Sequence, residues 1–171
     1  GFRSGDEGEH RLVVKTKNRD YKVRARRSYP VKSPDQQMVD RVIAYTLEAP
    51  VRNDWNVTIE TATPVRTDKG FKVNIKVFVP QTLTLLPDKS DVAGGFTLYF
   101  MLRMKDGTMS EVAKRMQSVR IPAASAKAAL QQPIIYAFDM SIPEGEQTLS
   151  IAVVDQLAST TGFARASIVA R

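Results

Sequence analysis

The sequence predicts a mainly β protein: an immunoglobulin- or fibronectin-III-like antiparallel β-sandwich with one short α-helix and an N-terminal β-hairpin. Three observations predict this fold. At least six short segments alternate apolar and polar residues with period two, the pattern of half-buried strands. Turn signals separate these segments at regular spacing, as in sandwich domains. Long helical patterns do not alternate with the strands, which argues against a parallel α/β sheet.

The first predicted element is a basic β-hairpin. Leu12 and Val14 begin a strand of period two, residues 18–20 form the turn, and Tyr21 opens the second strand. Positive charge is concentrated here, because residues 10–32 hold nine Lys or Arg and one acidic residue. The candidate interaction surface is the cationic outer face of the hairpin, formed by Lys15, Lys17, Lys22, Arg24 and Arg26. Such a stripe can neutralise an anionic surface or meet an acidic partner domain.

A short amphipathic helix is predicted next. Ser33 supplies an N-cap, Pro34 suits the first helical position, and Gln36 completes a capping box with Ser33. Its apolar stripe consists of Val39, Val42, Ile43 and Leu47. Pro50 is expected to end the helix. We expect the helix to pack on an edge of the sandwich or to link two units.

The following strands carry apolar residues on one face. The predicted inward rows are Trp55, Val57 and Ile59, then Phe71, Val73, Ile75, Val77 and Val79 after a turn at 67–70. A long connection is expected over residues 80–95, with Gly94 and Gly95 as a hinge or bulge. The strand over residues 96–104 also carries Tyr99 and Met101 on its second face, so it is expected to be central or covered on both faces.

The last part of the chain continues the strand pattern. Asp106 and Gly107 predict a two-residue hairpin turn, and the polar return strand at about 109–120 is expected at an edge. A short helical connection is predicted over 123–130. The next inward rows are Ile134, Tyr136, Phe138 and Met140, then Leu149, Ile151 and Val153. A loop through Gly162 leads to a final strand at 163–169.

We expect three parts along the chain: a flexible N-terminus and basic hairpin at 1–32, a helix or linker at 33–50, and the β-sandwich domain at 51–171. The first part is expected to end, or to lead from, a preceding domain. Cysteine is absent, which excludes disulfides, thiolate metal sites and cysteine nucleophiles. No run of 18 apolar residues occurs, so a membrane-spanning helix is not predicted.

No catalytic centre, cofactor or metal site is predicted. The single histidine, His10, lies in the charged N-terminal segment, whereas a Ser-His-Asp arrangement needs a packed and oriented histidine. Asp88 and Asp91 are interpreted as parts of a solvated turn rather than calcium ligands. Asp139 and Asp155 flank strands and are expected to cap loops by accepting hydrogen bonds from backbone N–H groups.

Two stretches of the chain resemble one protein family. Residues 11–29 are similar to the hairpin that ends the von Willebrand factor A-like domain in bacterial VWFA-related proteins of the acidobacterial type. The matching residues are Val14, Lys22, Val23, Arg24, Arg26 and Tyr29. Residues 138–145 and 149–155, with Gly162, resemble the sandwich that follows that domain.

The resemblance implies an exported bacterial protein in which an A-like domain precedes this module. That family's metal site belongs to the A-like domain and carries the motif D-x-S-x-S. Residues 88–92 lack the last serine of the motif, because Val92 stands there, so metal binding is not carried over. We therefore expect a non-catalytic interaction or structural module, outside the cytoplasm, whose partner is the A-like domain or another protein.

Two other functions stay open. The basic hairpin could bind a polyanion, either nucleic acid or an acidic glycan. Nucleic acid is not favoured, because Tyr21 and Tyr29 are too few to form a base-stacking platform. A carbohydrate-binding module would use exposed aromatic side chains, so it is excluded if Trp55, Tyr99 and Tyr136 are all buried, and a tryptophan in a sandwich is more often part of the core.

Overall fold

A computed structural model describes residues 9–11, 28–30, 32–49, 51 and 53–171. The chain divides into two compact units, Gly1–Met38 and Val39–Arg171. In the first unit, β1 (Glu9–Arg11) pairs antiparallel with β2 (Ser28–Pro30), as the two ends of a β-hairpin do. The residues between these strands, which include the predicted turn, lie outside the described residues. The three-part division predicted from the sequence stays a prediction.

The helix α1 (Pro34–Thr46) begins at the predicted capping box. The Gln36 N–H donates to Ser33 Oγ at 3.2 Å, and the Ser33 N–H donates to Gln36 Oε1 at 3.1 Å. These two bonds satisfy backbone donors that the first turn of a helix leaves without partners. The predicted start of the helix is therefore confirmed.

The end of α1 differs from the prediction. The helix stops at Thr46, before Pro50, and Leu47 is 50% exposed rather than part of the apolar stripe. Glu48 takes a left-handed conformation with φ of 63°, and its N–H donates to the Tyr45 carbonyl at 3.0 Å. The Ala49 N–H donates to the Ala44 carbonyl at 2.9 Å, which completes a Schellman motif. This local motif ends the helix.

The second unit contains nine further strands and a second helix within residues 53–171. In chain order they are β3 (Thr58–Thr61), β4 (Val65–Thr67), β5 (Gly70–Val79), β6 (Leu85–Asp88), β7 (Asp91–Met104), β8 (Ala113–Pro122), α2 (Ala123–Ala129), β9 (Ile134–Ile142), β10 (Gly145–Asp155) and β11 (Thr161–Ala170). Helix α2 is the helical connection predicted over 123–130. None of the helices in the described ranges has the length and hydrophobicity needed to cross a bilayer.

The strands form two antiparallel sheets. In the smaller sheet, β5 pairs with β3 and β4 on one side and with β9 on the other. In the larger sheet, β11, β10 and β7 are successive neighbours, β6 extends the sheet beside the first residues of β7, and β8 pairs with the other edge of β7. Every described pairing of these strands is antiparallel, so the predicted mainly β antiparallel sandwich is confirmed. An immunoglobulin-like arrangement stays a prediction.

The predicted apolar rows meet in one core. The row on β5 is fully buried, and so are Phe96 and Leu98 on β7. Leu149, Ile151 and Val153 on β10 are buried to the same extent. Aromatic rings join the two sheets, since the ring centres of Phe100 and Phe138 lie 5.2 Å apart. Burial of these facing rows supplies the main driving force for the fold.

Residues 80–95 are not the long connection that the sequence predicts. They contain β6 and the start of β7, which are joined by a tight turn in which Lys89 has a φ of 57°. Pro87 is tolerated because β6 is short and has a pairing partner on one side among the described strands. Gly94 lies inside β7, where an added Cβ would come within 2.4 Å of the Thr84 carbonyl oxygen. Gly94 therefore marks a close approach of two backbones rather than a hinge.

The turn after β7 also differs from the prediction. The Gly107 N–H donates to the Met104 carbonyl at 3.0 Å, and the Met104 N–H donates to the Thr108 carbonyl at 2.8 Å. Gly107, with φ of 90°, thus follows a turn centred on Lys105 and Asp106 instead of lying at its centre. The edge position predicted for the return strand agrees with β8, which pairs with β7 alone among the described strands.

One side of the sandwich is closed by backbone contacts between the two sheets. Trp55 forms a parallel bridge with Gly162, and the Asp54 N–H donates to the Thr161 carbonyl at 2.9 Å. The Phe163 N–H donates to Asn53 Oδ1 at 3.1 Å, so a side-chain amide continues the pairing. These contacts join the segment before β3 to β11.

The second face of β7 is buried, as predicted. Tyr99 and Met101 are 5% and 2% exposed. On the same face of the larger sheet, the C-terminal half of α1 packs against β11, where the ring centres of Tyr45 and Phe163 lie 5.1 Å apart. The Arg165 guanidinium donates to the Tyr45 carbonyl at 2.9 Å. This contact confirms that the helix packs on an edge strand of the sandwich.

Candidate binding surfaces

The cationic stripe predicted on the hairpin lies outside the described residues. It comprises Lys15, Lys17, Lys22, Arg24 and Arg26, and its role stays a prediction. His10 lies on β1, where its backbone is paired with Tyr29.

The buried carboxylate of Asp155 has a structural role. Its Oδ1 accepts hydrogen bonds from the N–H groups of Leu157 at 2.7 Å and Ala158 at 3.0 Å, and its Oδ2 accepts from Thr84 at 2.7 Å. Asp155 therefore caps a loop, as the sequence predicts. Both carboxylate oxygens accept hydrogen bonds from backbone N–H groups.

Asp139 differs from the prediction, because it lies in the middle of β9 and bonds side chains instead of loop N–H groups. Its carboxylate accepts from Asn74 Nδ2 at 2.9 Å and pairs with Lys72 Nζ at 2.8 Å. The hydrogen bond from Asn74, followed by the one from Lys72, lowers the pKa of Asp139. The group is an exposed cross-strand ion pair on the outer face of the smaller sheet.

Asp88 and Asp91 flank the turn between β6 and β7. Both carboxylates pair with one guanidinium, since Arg120 contacts Asp88 Oδ2 at 2.5 Å and Asp91 Oδ2 at 3.2 Å. No group of three or more His, Asp or Glu side chains within the described residues is arranged to hold a metal ion. The two aspartates thus form a surface ion-pair cluster with Arg120.

The side of the sandwich opposite the closed one presents two edge strands, β8 and β9. Within residues 53–171, β8 pairs with β7 and β9 pairs with β5. Arg115 of β8 covers the gap between the sheets, because its guanidinium lies 4.8 Å from the Phe138 ring centre and 5.6 Å from that of Phe100. Next to it, Met116 is 69% exposed. We call this region the β8–β9 side.

A groove of about 470 Å³ lies at the end of the smaller sheet. Its apolar lining is Phe78, Pro80 and Pro133 beside Trp55, and its polar lining includes Asn56 and Gln81. Phe78 is directly opposite Ile135 in the pairing of β5 with β9, and Ile135 is 58% exposed. We call this region the Phe78 groove.

Trp55 supports the Phe78 groove from within the core. It is 6% exposed, and its indole N–H donates to Thr82 Oγ1 at 2.7 Å. Tyr99 is also buried, and Tyr136 is half-buried against Phe96, with ring centres 6.0 Å apart. Trp55 and Tyr99 therefore offer no exposed ring on which a sugar could stack.

The sequence itself contains a signal for the groove. The outer row of β5 is Lys72, Asn74, Lys76 and Phe78, and the outer row of β9 is Ile135, Ala137, Asp139 and Ser141. Phe78 and Ile135 are the large apolar residues in these otherwise polar or small rows. An apolar residue on a solvated strand face indicates a binding surface when neighbours extend it into a patch.

Comparisons with known proteins give no family for this chain. No protein-family model and no curated protein matches it. Among solved structures, it is similar to two of Bacteroides uniformis: β-glucuronidase 2 covalently bound to cyclophellitol-6-carboxylate aziridine, at 12% identity with a TM-score of 0.37, and a β-glucuronidase at 13% with 0.36. Each comparison covers 70% of this chain but only 16% of the other, so neither their reaction nor their substrate is transferred to it.

Proposed function

We propose that this chain is a non-catalytic interaction module of a larger, exported bacterial protein related to the VWFA family. It docks a neighbouring A-like domain or another protein through the β8–β9 side. The observation that carries the proposal is the presence of two long, solvent-facing edge strands along one side of the sandwich.

Edge strands favour docking because their outer N–H and C=O groups can pair with a strand of another domain. Strand β8 has ten residues, and most of its side chains are exposed. The exposed side chain of Met116 adds apolar area beside these backbone groups. Arg115 keeps water from the core at this side, which leaves the edge accessible without exposing Phe138.

The environment of the carboxylates supports a role without catalysis. Asp155 is committed to backbone donors, and Asp88, Asp91 and Asp139 are each paired with a cationic side chain. Among the residues that the structure describes, these carboxylates do not converge in a cleft with a nucleophile, which an enzyme site would require.

Site-specific cross-linking in the full-length natural protein tests the docking surface. A photoreactive benzoylphenylalanine at Met116, 69% exposed on β8, is compared with one at Val65, 66% exposed on β4. We expect a discrete adduct from position 116 and none from position 65. An excess of this chain should suppress the adduct, whereas an excess of its Met116→Glu variant should not. Equal adducts from both positions, or none from 116, would contradict the proposal.

The reading frame of the natural gene tests the proposed context. We expect an upstream A-like domain in which a D-x-S-x-S motif follows a β-strand. A gene that encodes no such domain before this chain would contradict the proposed relation to the VWFA family. The cross-linking result would still decide whether the β8–β9 side is the docking surface.

A further inference from the structure

We propose that the outer face of the larger sheet holds a binding site for a small monocarboxylic acid. The site is a trough that runs across β7, β10 and β11, and we call it the Arg103 trough. The trough and the β8–β9 side use different residues, so the site is independent of the proposed function.

Two rows of side chains form the walls of the trough. Six outward-facing residues make up these rows: Arg103, Thr148 and Ser167 in one, and Lys105, Glu146 and Val169 in the other. Arg103 is directly opposite Thr148, and Thr148 is opposite Ser167. Residues opposite each other in a pair of strands share one face of the sheet. The trough has a volume of about 290 Å³, near the lower end for small-molecule sites, roughly 300–1,000 Å³.

The guanidinium of Arg103 lacks an anionic partner. The residue is half-buried, and its side chain makes no hydrogen bond, ion pair or ring contact with the described residues. By contrast, Arg120 and Arg165 pair with carboxylates, and Arg66 and Arg115 lie over aromatic rings. A half-buried cation has lost part of its hydration, so a bound anion compensates it more than it would compensate a fully solvated arginine.

The donors at this end of the trough fit a carboxylate. A guanidinium presents two parallel N–H groups that match the two oxygens of a carboxylate. The neighbouring Thr148 is half-buried, and its hydroxyl makes no hydrogen bond within the described part of the chain. This hydroxyl can donate to one of the same oxygens. Arg103 and Thr148 together therefore supply a charge and three donors to one ligand group.

The charge of the lining selects a monoanion. Lys105 Nζ pairs with the Glu146 carboxylate at 3.0 Å, so these two charges balance each other. Among the described lining residues, the positive charge of Arg103 remains for the ligand. One carboxylate balances it. A phosphate dianion would bring a second negative charge near Glu146 with no cation to compensate it.

Val169 gives the trough an apolar end. Its side chain is 42% exposed on β11, in the wall opposite Arg103. Strands lie about 4.8 Å apart and rise about 3.3 Å per residue, so the Cα atoms of Arg103 and Val169 are about 12 Å apart. A carboxylate bound at Arg103 leaves room for a short carbon chain that reaches toward Val169. Contact with Val169 then removes apolar area of this chain from water.

Nuclear magnetic resonance titration of the isotope-labelled chain tests the site. The probes are hexanoate, its uncharged analogue hexanamide, acetate, inorganic phosphate and a capped pentapeptide with one glutamate, which presents the carboxylate as a protein partner would. We expect hexanoate to shift the backbone amide signals of Thr148 and Val169 to saturation, with an affinity about tenfold above that of hexanamide, because the amide lacks the charge. The proposal is overturned if hexanoate gives no saturable shift, or if any other probe binds as tightly.

Variants place the carboxylate in the trough. Arg103→Gln is expected to weaken hexanoate about tenfold and to abolish its advantage over hexanamide. Thr148→Val keeps the shape of the side chain and should weaken hexanoate about threefold, so it keeps the test valid even if Arg103→Gln does not fold. Lys76→Gln removes one positive charge from an exposed position on the smaller sheet and should leave the affinity unchanged. An unchanged affinity in the trough variants, or an equal loss in Lys76→Gln, would remove the site from the trough.

Discussion

Asp155 Oδ2 accepts a hydrogen bond from the backbone N–H of Thr84 at 2.7 Å, and the two residues are 71 positions apart in the sequence. The bond ties the end of β10 to the segment before β6. Burial by itself raises the pKa of the Asp155 carboxyl, but the hydrogen bonds from Ala158, Thr84 and Leu157 outweigh it and hold the pKa below its ordinary value.

Replacing Asp155 with Ala is expected to lower the free energy of unfolding by about 3 kcal/mol at neutral pH, because three backbone N–H groups lose their acceptor. The pKa of Asp155 in the folded state is below its value in the unfolded chain, which is about 3.9. The ionised carboxylate therefore stabilises the fold fully above about pH 3.9, and this stabilisation is lost as the pH falls through the folded pKa. Urea unfolding should be measured from neutral pH down through the folded pKa. The difference in the free energy of unfolding between wild type and Asp155→Asn should become smaller in acid. Asp139→Asn, at an exposed position, is the control, and its free energy of unfolding should differ less from that of the wild type at neutral pH. A gap for Asp155→Asn that does not change with pH would contradict the assignment.

The Gly162→Ala substitution is expected to destabilise the closed side of the sandwich. An added Cβ would lie 2.4 Å from Val57 Cγ2 and 2.7 Å from both Cβ and O of Trp55, so the two segments must move apart. We expect a loss of about 2 kcal/mol from such overpacking. Because Trp55 is the only tryptophan in the chain, its fluorescence should shift to the red in the folded state. The exposed Ser167→Ala, on the same strand, is the control, and a Gly162→Ala protein with wild-type stability would refute the close contact.

The Glu48→Gly substitution is expected to raise the free energy of unfolding by about 0.5–1 kcal/mol, because glycine occupies the left-handed position of a Schellman motif without strain. The ion pair between Glu48 and Arg165, at 3.3 Å, is lost, but the Glu48 side chain is 75% exposed and the pair contributes little. Glu48→Ala is the matched control, since it loses the same ion pair and keeps the strained φ. Thermal unfolding compares the two variants, and a glycine variant no more stable than the alanine variant would disagree with this account.

The Arg115→Ala substitution is expected to expose the edge of the core on the β8–β9 side. The guanidinium packs on the rings of Phe138 and Phe100, and removing it should cost about 1 kcal/mol of stability. Binding of a hydrophobic dye such as ANS to the folded protein should increase. Arg115→Met keeps a long apolar stem over the rings, so it should lose less than Arg115→Ala. Equal dye binding by Arg115→Met and Arg115→Ala would argue against the covering role.

The inward rows of the sandwich could be predicted from the sequence because each strand buries one face and solvates the other. The segment at 80–95 could not, since its prolines and glycines are typical of loops. The close backbone of Thr84, which requires Gly94, depends on the tertiary structure. The end of α1 could not be predicted for a related reason, because Glu48 in a left-handed conformation has no marker in the sequence. The pairing of Asp139 with Lys72 could not be predicted either, because Lys72 lies on a strand far earlier in the chain.

The candidate sites were less predictable than the fold. Phe78 interrupts a polar row in a way the sequence shows, but its neighbour Ile135 comes from a strand that long-range pairing brings alongside. Trp55 was correctly expected in the core. The edge position of β8 followed from its polar composition, whereas the contact of Arg115 with Phe138 depends on how the two sheets face each other.

The pairing of Asn53 with Phe163, residues separated by 110 positions, bears on how the protein is made. A ribosome releases the chain from its N-terminus at about 5–20 residues per second. The segment before β3 therefore has no pairing partner on β11 for many seconds, until β11 has been synthesised and leaves the ribosome. During that interval an apolar stretch with Trp55 and Val57 is open to chaperones, so we expect nascent chains that stop before β11 to be held by them rather than to fold.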